Sequence, residues 1–169
     1  MVKQIITDGA ELKLASGLRE IDEKYKHLNS GGCLFVAKWI GEGFMAKGLK
    51  VEYVILDGIP SGCEHLIKDF ERYGNVEELS DLADRMLEVA HVLPIIDDCL
   101  YVDSKGVKVN IKDTKWAYLT EMGRISHETL LRWSKDRYYN WNPTFNNQHG
   151  HELYAIEKKI KSLIKSLRI

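Results

Sequence analysis

Between Glu11 and Leu28 the apolar residues Leu14, Leu18, Ile21, Tyr25 and Leu28 recur at steps of three and four, with charged residues between them. That period puts them on one stripe and predicts an amphipathic helix. Asn29-Ser30-Gly31-Gly32 breaks the period, and a second helix opens at Cys33. In it Phe35, Val36, Trp39, Ile40 and Phe44 leave little polar surface on any side, the pattern of a helix buried at the centre of a fold. Gly48 stops it, and Val51-Glu52-Tyr53-Val54-Ile55-Leu56 reads as a strand before the turn pair Asp57-Gly58.

Ser61 and Glu64 have capping-box spacing, which predicts a helix from Cys63 to about Tyr73, followed by a short one from Glu77 to Met86. Glu88 to Ile96 and Cys99 to Val102 read as two arms of a hairpin turned at Asp97-Asp98. Pro94 has no N–H for a ladder, so its strand is expected at an edge or at a bulge. Ser104-Lys105-Gly106 makes another turn, and Val107 to Ile111 a third strand. Ser126 to Tyr138 is the next predicted helix, broken by Asn140-Trp141-Asn142-Pro143. In the last, Leu153, Ile156, Ile160, Leu163, Ile164 and Leu167 line one face, while Lys158, Lys159, Lys161, Lys165 and Arg168 read as a solvated cationic face.

These elements predict an α+β fold, with helices packed on a small antiparallel sheet around the central helix that opens at Cys33. The 169 residues suit a single domain, with a core over 10–110 and a helical C-terminal extension over 111–169. A hydrophobic fraction of 44% is enough to build that core. The formal charge of −1 gives no global attraction to nucleic acid or to an anionic membrane. No apolar run approaches the roughly 20 residues of a membrane span, and Met1-Val2-Lys3-Gln4 opens no signal-peptide h-region. Cys33, Cys63 and Cys99 match neither a metal-ligand spacing nor a disulfide framework; an odd count without a secretion signal fits a reducing cytoplasm.

The chemistry gathers at Cys33. In the first turn of a helix, free backbone N–H groups and the macrodipole favour a thiolate, and the two preceding glycines leave the sulfur uncovered. A thiol enzyme also needs a base and a group that fixes the base's tautomer. His91 stands in the strand-like run Glu88-Val89-Ala90-His91-Val92, and Asp103 closes the next run, Tyr101-Val102-Asp103. A three-residue loop centred on Asp97 would pair residues 95 and 99 and set His91 directly opposite Asp103. A two-residue loop would pair 92 with 103 and put the two diagonally. Asp97 and Asp98 are better suited to the turn itself. For the oxyanion, the Cys33 N–H is the natural donor and the Asn29 side-chain amide a second candidate, equally suited to end or cap a helix.

Asn-Ser-Gly-Gly-Cys33 opening a buried helix, then His91 and Tyr-Val-Asp103-Ser on successive strands, resembles the papain-like thiol enzyme superfamily in its broad sense. The style is that of transglutaminase-like and arylamine N-acetyltransferase-like members and of small phage or bacterial proteins of that fold. The resemblance covers about residues 10–110 and implies a papain-like fold with nucleophile Cys33, base His91 and orienter Asp103. It implies acyl transfer or hydrolysis of a peptide, protein or small amide through a thioester, with no metal or organic cofactor. The glutamine that papain-type peptidases place before the cysteine is absent from Lys26-His27-Leu28-Asn29-Ser30-Gly31-Gly32.

Each site residue also has a plainer reading. Cys33 suits a small buried hydrophobe, His91 a satisfied core histidine, and Asp103 a turn-opening residue. The alternative function is accordingly a non-catalytic papain-fold accessory protein, phage-derived in character, that binds a partner through its C-terminal third. A nucleic-acid module using the basic last helix is a further rival, opposed by the balanced charge. His149 and His151 lack the further ligands of a metal site, and Cys63 and His65 fall on different helix faces. Trp133, Tyr138, Tyr139 and Trp141 are assigned to packing of the C-terminal helices.

Overall fold

The computed structural model describes residues 6–25, 32–57, 91–103, 106–114, 120–131 and 150–169. The predicted helices over 63–73 and 77–86 lie outside these residues. So do Asn29, Cys63, His65, His149, the aromatic residues at 133–141 and most of the predicted helix over 126–138.

Helix α1 spans Asp8–Lys24. The Thr7 hydroxyl accepts from the Ala10 N–H at 3.3 Å, and Asp8 and Glu11 place negative charge in the first turn, where the helix dipole favours it. Its stripe of Ala10, Leu14, Leu18 and Ile21 is buried, as the period requires. Helix α2 spans Cys33–Met45 and buries ten of its residues, among them Trp39, Ile40 and Phe44. The chain turns out of it through Gly48 at φ +80°, a left-handed conformation that suits glycine.

Strands β1 (Val51–Asp57), β2 (His91–Ile96), β3 (Leu100–Asp103), β4 (Gly106–Lys108) and β5 (Thr120–Ser126) form one sheet in the order β4-β3-β2-β1-β5. The pairings β1–β2, β1–β5, β2–β3 and β3–β4 are all antiparallel. The protein is therefore α+β with a small antiparallel sheet. A short 3-10 turn at Ile111–Asp113 follows β4, residues 127–131 are helical, and α3 covers Leu153–Lys165. The Ser126 hydroxyl caps the turn at 127 by accepting from the Thr129 N–H at 3.1 Å.

Three expectations are corrected. The segment after residue 110, read above as a helical extension, contributes β5 to the sheet and α3 to the main core. Pro94 lies in neither an edge strand nor a bulge of its own: β2 is interior, Pro94 stands opposite Tyr53, and the irregularity falls in β1 between Ile55 and Leu56. The β2–β3 ladder runs only over Ile95↔Tyr101 and Ile96↔Leu100, and so stops short of the residue that has no N–H to give. The hairpin loop has three residues, 97–99, but is centred on Asp98, so Ile95 pairs with Tyr101 and not with Cys99. Asp97 at φ 46° and Asp98 at φ 62° make that reversal, in a region aspartate tolerates better than most residues. The Asp97 carboxylate fastens it by accepting from the Lys50 N–H at 2.8 Å.

Alternation sorts the sheet into two faces. Tyr53, Ile55, Val92, Ile96, Leu100, Val102, Val107 and Ile125 join the helices in the main core, while Val54, Leu56, Leu93, Ile95 and Tyr101 form a second cluster. Helix α2 packs on β2 and β1, α3 packs on α2, and α1 packs on α3 and β4. Each fully buried Leu, Ile or Phe contributes about 1.5–3 kcal/mol relative to an exposed one, which keeps α2 fixed on the sheet.

Candidate active site

Cys33 is the first residue of α2, His91 the first of β2 and Asp103 the last of β3. The first hydrogen bond inside α2 runs from the Val36 N–H to Gly32 O, so the N–H groups of Cys33, Leu34 and Phe35 precede the helical ladder. Gly32 as N-cap brings no side-chain oxygen to them. The N–H groups of Leu34 and, from β2, of Val92 lie near enough to the Cys33 sulfur to favour its thiolate. The sulfur therefore lies where the dipole of α2 meets the end of the sheet.

His91 is within hydrogen-bond reach of that sulfur. Its Nε2 lies 3.8 Å from Asp103 Oδ2, an ion-pair distance longer than a hydrogen bond. With Nε2 turned toward the carboxylate, Nδ1 is the nitrogen left to serve the sulfur. Extending the β2–β3 register opposes Asp103 to Leu93, so Asp103 reaches His91 diagonally, from the same face of the sheet. Neither loop considered from sequence gives this register, yet the two residues are brought together. Asp103 also serves its turn: Oδ1 accepts from the Gly106 N–H at 3.1 Å, which fixes the carboxylate.

Against the expectation of an uncovered sulfur, all three groups are shielded from water, Cys33 at 5%, His91 at 3% and Asp103 at 8% exposure. Burial pushes the Cys33 thiol up. The hydrogen bond and charge of His91, with the N–H groups of Val92 and Leu34, outweigh burial and hold the thiol below its ordinary value. Burial pushes the His91 imidazole down, but Asp103 and Cys33 outweigh it and raise it. The two shifts favour the same state, a thiolate beside an imidazolium, and the pair titrates as one unit.

One consequence concerns Asp103→Asn. The amide oxygen still accepts from Gly106, so the turn is kept while the charge is lost. The His91 titration, followed by NMR of its ring proton, is expected to move to lower pH. Alkylation of Cys33 at pH 6.5 is expected to slow by about 3–10-fold as imidazolium is lost.

Sequence reasoning missed a second constellation, which holds α2 to the sheet. The Tyr53 hydroxyl and His127 Nδ1 share a hydrogen bond of 2.8 Å, and His127 Nε2 lies 3.8 Å from Glu42 Oε1. Glu42 Oε2 in turn meets Lys161 Nζ of α3 at 2.6 Å. Burial and the Glu42 charge raise the Tyr53 hydroxyl, which stays protonated; burial lowers His127, against the pull of Glu42. No spacing signals such a group, because its members come from α2, β1, the turn at 127 and α3.

No family model, curated protein or solved structure matches this chain. Among the described residues no three His, Cys, Asp or Glu side chains gather as metal ligands, and no helix is long and apolar enough to cross a membrane. Cys33 and Cys99 are in no disulfide, and His151 is exposed at the turn before α3.

Proposed function

We propose that this protein is a thiol enzyme of the broad papain-like type, acting by acyl transfer or amide hydrolysis with Cys33 as nucleophile. The observation that carries this reading is the convergence of Cys33, His91 and Asp103, from three separate elements, in a setting that favours thiolate and imidazolium together. The thiolate attacks the carbonyl carbon of a peptide, protein or small amide and forms a C–S bond, the carbonyl π electrons moving onto oxygen. First-turn N–H groups of α2 are the donors at hand for that oxyanion. As the tetrahedral species collapses, the C–N bond breaks and His91 gives its proton to the departing amine. Water, or an acceptor amine or alcohol, then gives a proton to His91, attacks the thioester and releases the thiolate. Asp103 holds the imidazole ring throughout. The chemistry uses only protein groups.

Incubation with p-nitrophenyl acetate tests this directly. Acetylation is expected on the Cys33 peptide of the native protein, with release of p-nitrophenolate, and is expected to vanish in Cys33→Ala. Native protein that acetylates at Cys33 no faster than at Cys99 would sink the catalytic reading. The 5% exposure of Cys33 favours that second possibility, a papain-like relic that binds a partner and catalyses nothing.

A further inference from the structure

We propose that the groove between α1 and α3 is a docking site for an acidic amphipathic helix of a partner protein. Helices α1 and α3 lie antiparallel: Lys13 Nζ donates to Ser166 O at 3.3 Å, Gly17 faces Leu163, and Lys159 reaches Tyr25. Outside their buried seam they leave an open trough of ≈ 750 Å³. Gly17, Ile21, Ala155 and Leu163 form its floor. A Cβ at Gly17 would come within 2.6 Å of a Leu163 methyl, so this glycine is what lets Leu163 settle against α1 and keep the floor continuous.

Among the described residues the rim carries Lys24, Lys158 and Lys159 and the carboxylate of Glu20. Lys24 Nζ stands 5.3 Å and Lys159 Nζ 5.6 Å from the centroid of the Tyr25 ring. Two ammonium groups gathered at one ring make a local excess of positive charge that an anion offsets. The neighbouring face of α3 is different, because Lys161 is already matched by Glu42 and Glu157. Among the described residues the trough thus carries more cations than carboxylates, whereas Lys161 beside it is matched.

An apolar floor bounded by cations, running between two helices, fits the helix-in-groove mode of recognition. From Gly17 to Lys24 the trough is about 10 Å long, or two helical turns. Its occupant presents apolar residues at i, i+3, i+4 and i+7, flanked by Glu or Asp. Single rim ion pairs are worth little in water, so floor and rim must act together. The site needs no reaction at Cys33 and stands or falls independently of it.

The test is fluorescence anisotropy with a labelled peptide of about 14 residues carrying Leu at those positions and Glu between them, against a scrambled isomer of the same composition. The amphipathic peptide is expected to bind about tenfold or more tighter than the scrambled one. Lys24→Glu with Lys159→Glu, both exposed, is expected to weaken it about tenfold or more and to confer binding of a Lys-for-Glu counterpart. Ala155→Trp, which fills the trough without changing charge, is expected to weaken it as well. Circular dichroism confirms the fold of each variant. Equal affinity for the scrambled isomer, insensitivity to both variants, no binding by wild type, or tighter binding of an oligonucleotide of the same charge would each overturn the proposal.

Discussion

Replacing His91 by Ala is expected to slow iodoacetamide alkylation of Cys33 at pH 6.5 by about tenfold or more. Burial, the largest influence on the thiol, raises it and survives the substitution; the His91 hydrogen bond and charge that overcome burial do not. The N–H groups of Val92 and Leu34 remain, as weaker support. A thiol of ordinary pKa, about 8.5, is only about 1% thiolate at pH 6.5, so a variant at or above that value has little thiolate left to react. The sign is testable by pH. Because burial keeps the variant's thiol above the ordinary range, the two rates are expected to draw together only as the pH rises well past it. A rate ratio that does not narrow between pH 6.5 and pH 10 would mean that the variant had lost access or packing and not ionisation. Peptide mapping reads the rate at each cysteine, with Cys99 as an internal reference.

That experiment bears on residues chosen from little more than chain order, and much of what places them is written locally. The three- and four-residue steps of α1 and α3 appear as buried stripes, Leu14-Leu18-Ile21 and Ile156-Ile160-Ile164, because one-sided burial is what such spacing encodes. Likewise Gly31-Gly32 before an apolar run marks the start of α2, where the structure places Cys33. Strand β5 escaped notice because Gly123 and Arg124 interrupt its apolar alternation; its order comes from pairing with β1. Pro94 misled for a related reason. A proline reports on one missing donor, whereas its place in the sheet is decided by which neighbour leaves that position unpaired.

The site divides along the same line. Cys33, His91 and Asp103 could be named because each belongs to a recognisable local pattern, but their register could not. It depends on Asp97 and Asp98 both adopting positive φ, and the dipeptide permits that conformation without requiring it. The trough beside α3 was visible from sequence only as charge. Lys24 and Lys159 lie far apart in the chain, and their approach to Tyr25 follows from α1 and α3 packing side by side.

The constellation absent from the sequence reading yields the strongest structural prediction, Gly41→Ala. A Cβ at residue 41 would sit 2.0 Å from the Tyr53 hydroxyl oxygen and 2.8 Å from Cζ, inside any tolerable contact. Tyr53 has nowhere to withdraw: it is fully buried, and its hydroxyl is held by His127. The substitution must therefore push α2 away from β1 or break the Tyr53–His127 bond. Overpacking of this kind costs about 1–3 kcal/mol, and losing the hydrogen bond adds about 1 kcal/mol, so urea unfolding is expected to show a loss of about 3 kcal/mol. Tyr53→Phe alone removes the hydroxyl, leaves His127 without that partner, and is expected to cost about 1–2 kcal/mol. Combined with Gly41→Ala it removes the worst clash, so the double variant is expected to be less destabilised than the two single losses added together. Simple additivity would mean that residues 41 and 53 do not compete for the same space. Because Cys33 rides on the same helix, any Gly41→Ala protein that still folds is also expected to alkylate Cys33 with a midpoint shifted to higher pH. A shift of α2 against the sheet separates the sulfur from His91, and with that contact goes the influence that holds the thiol below its ordinary value.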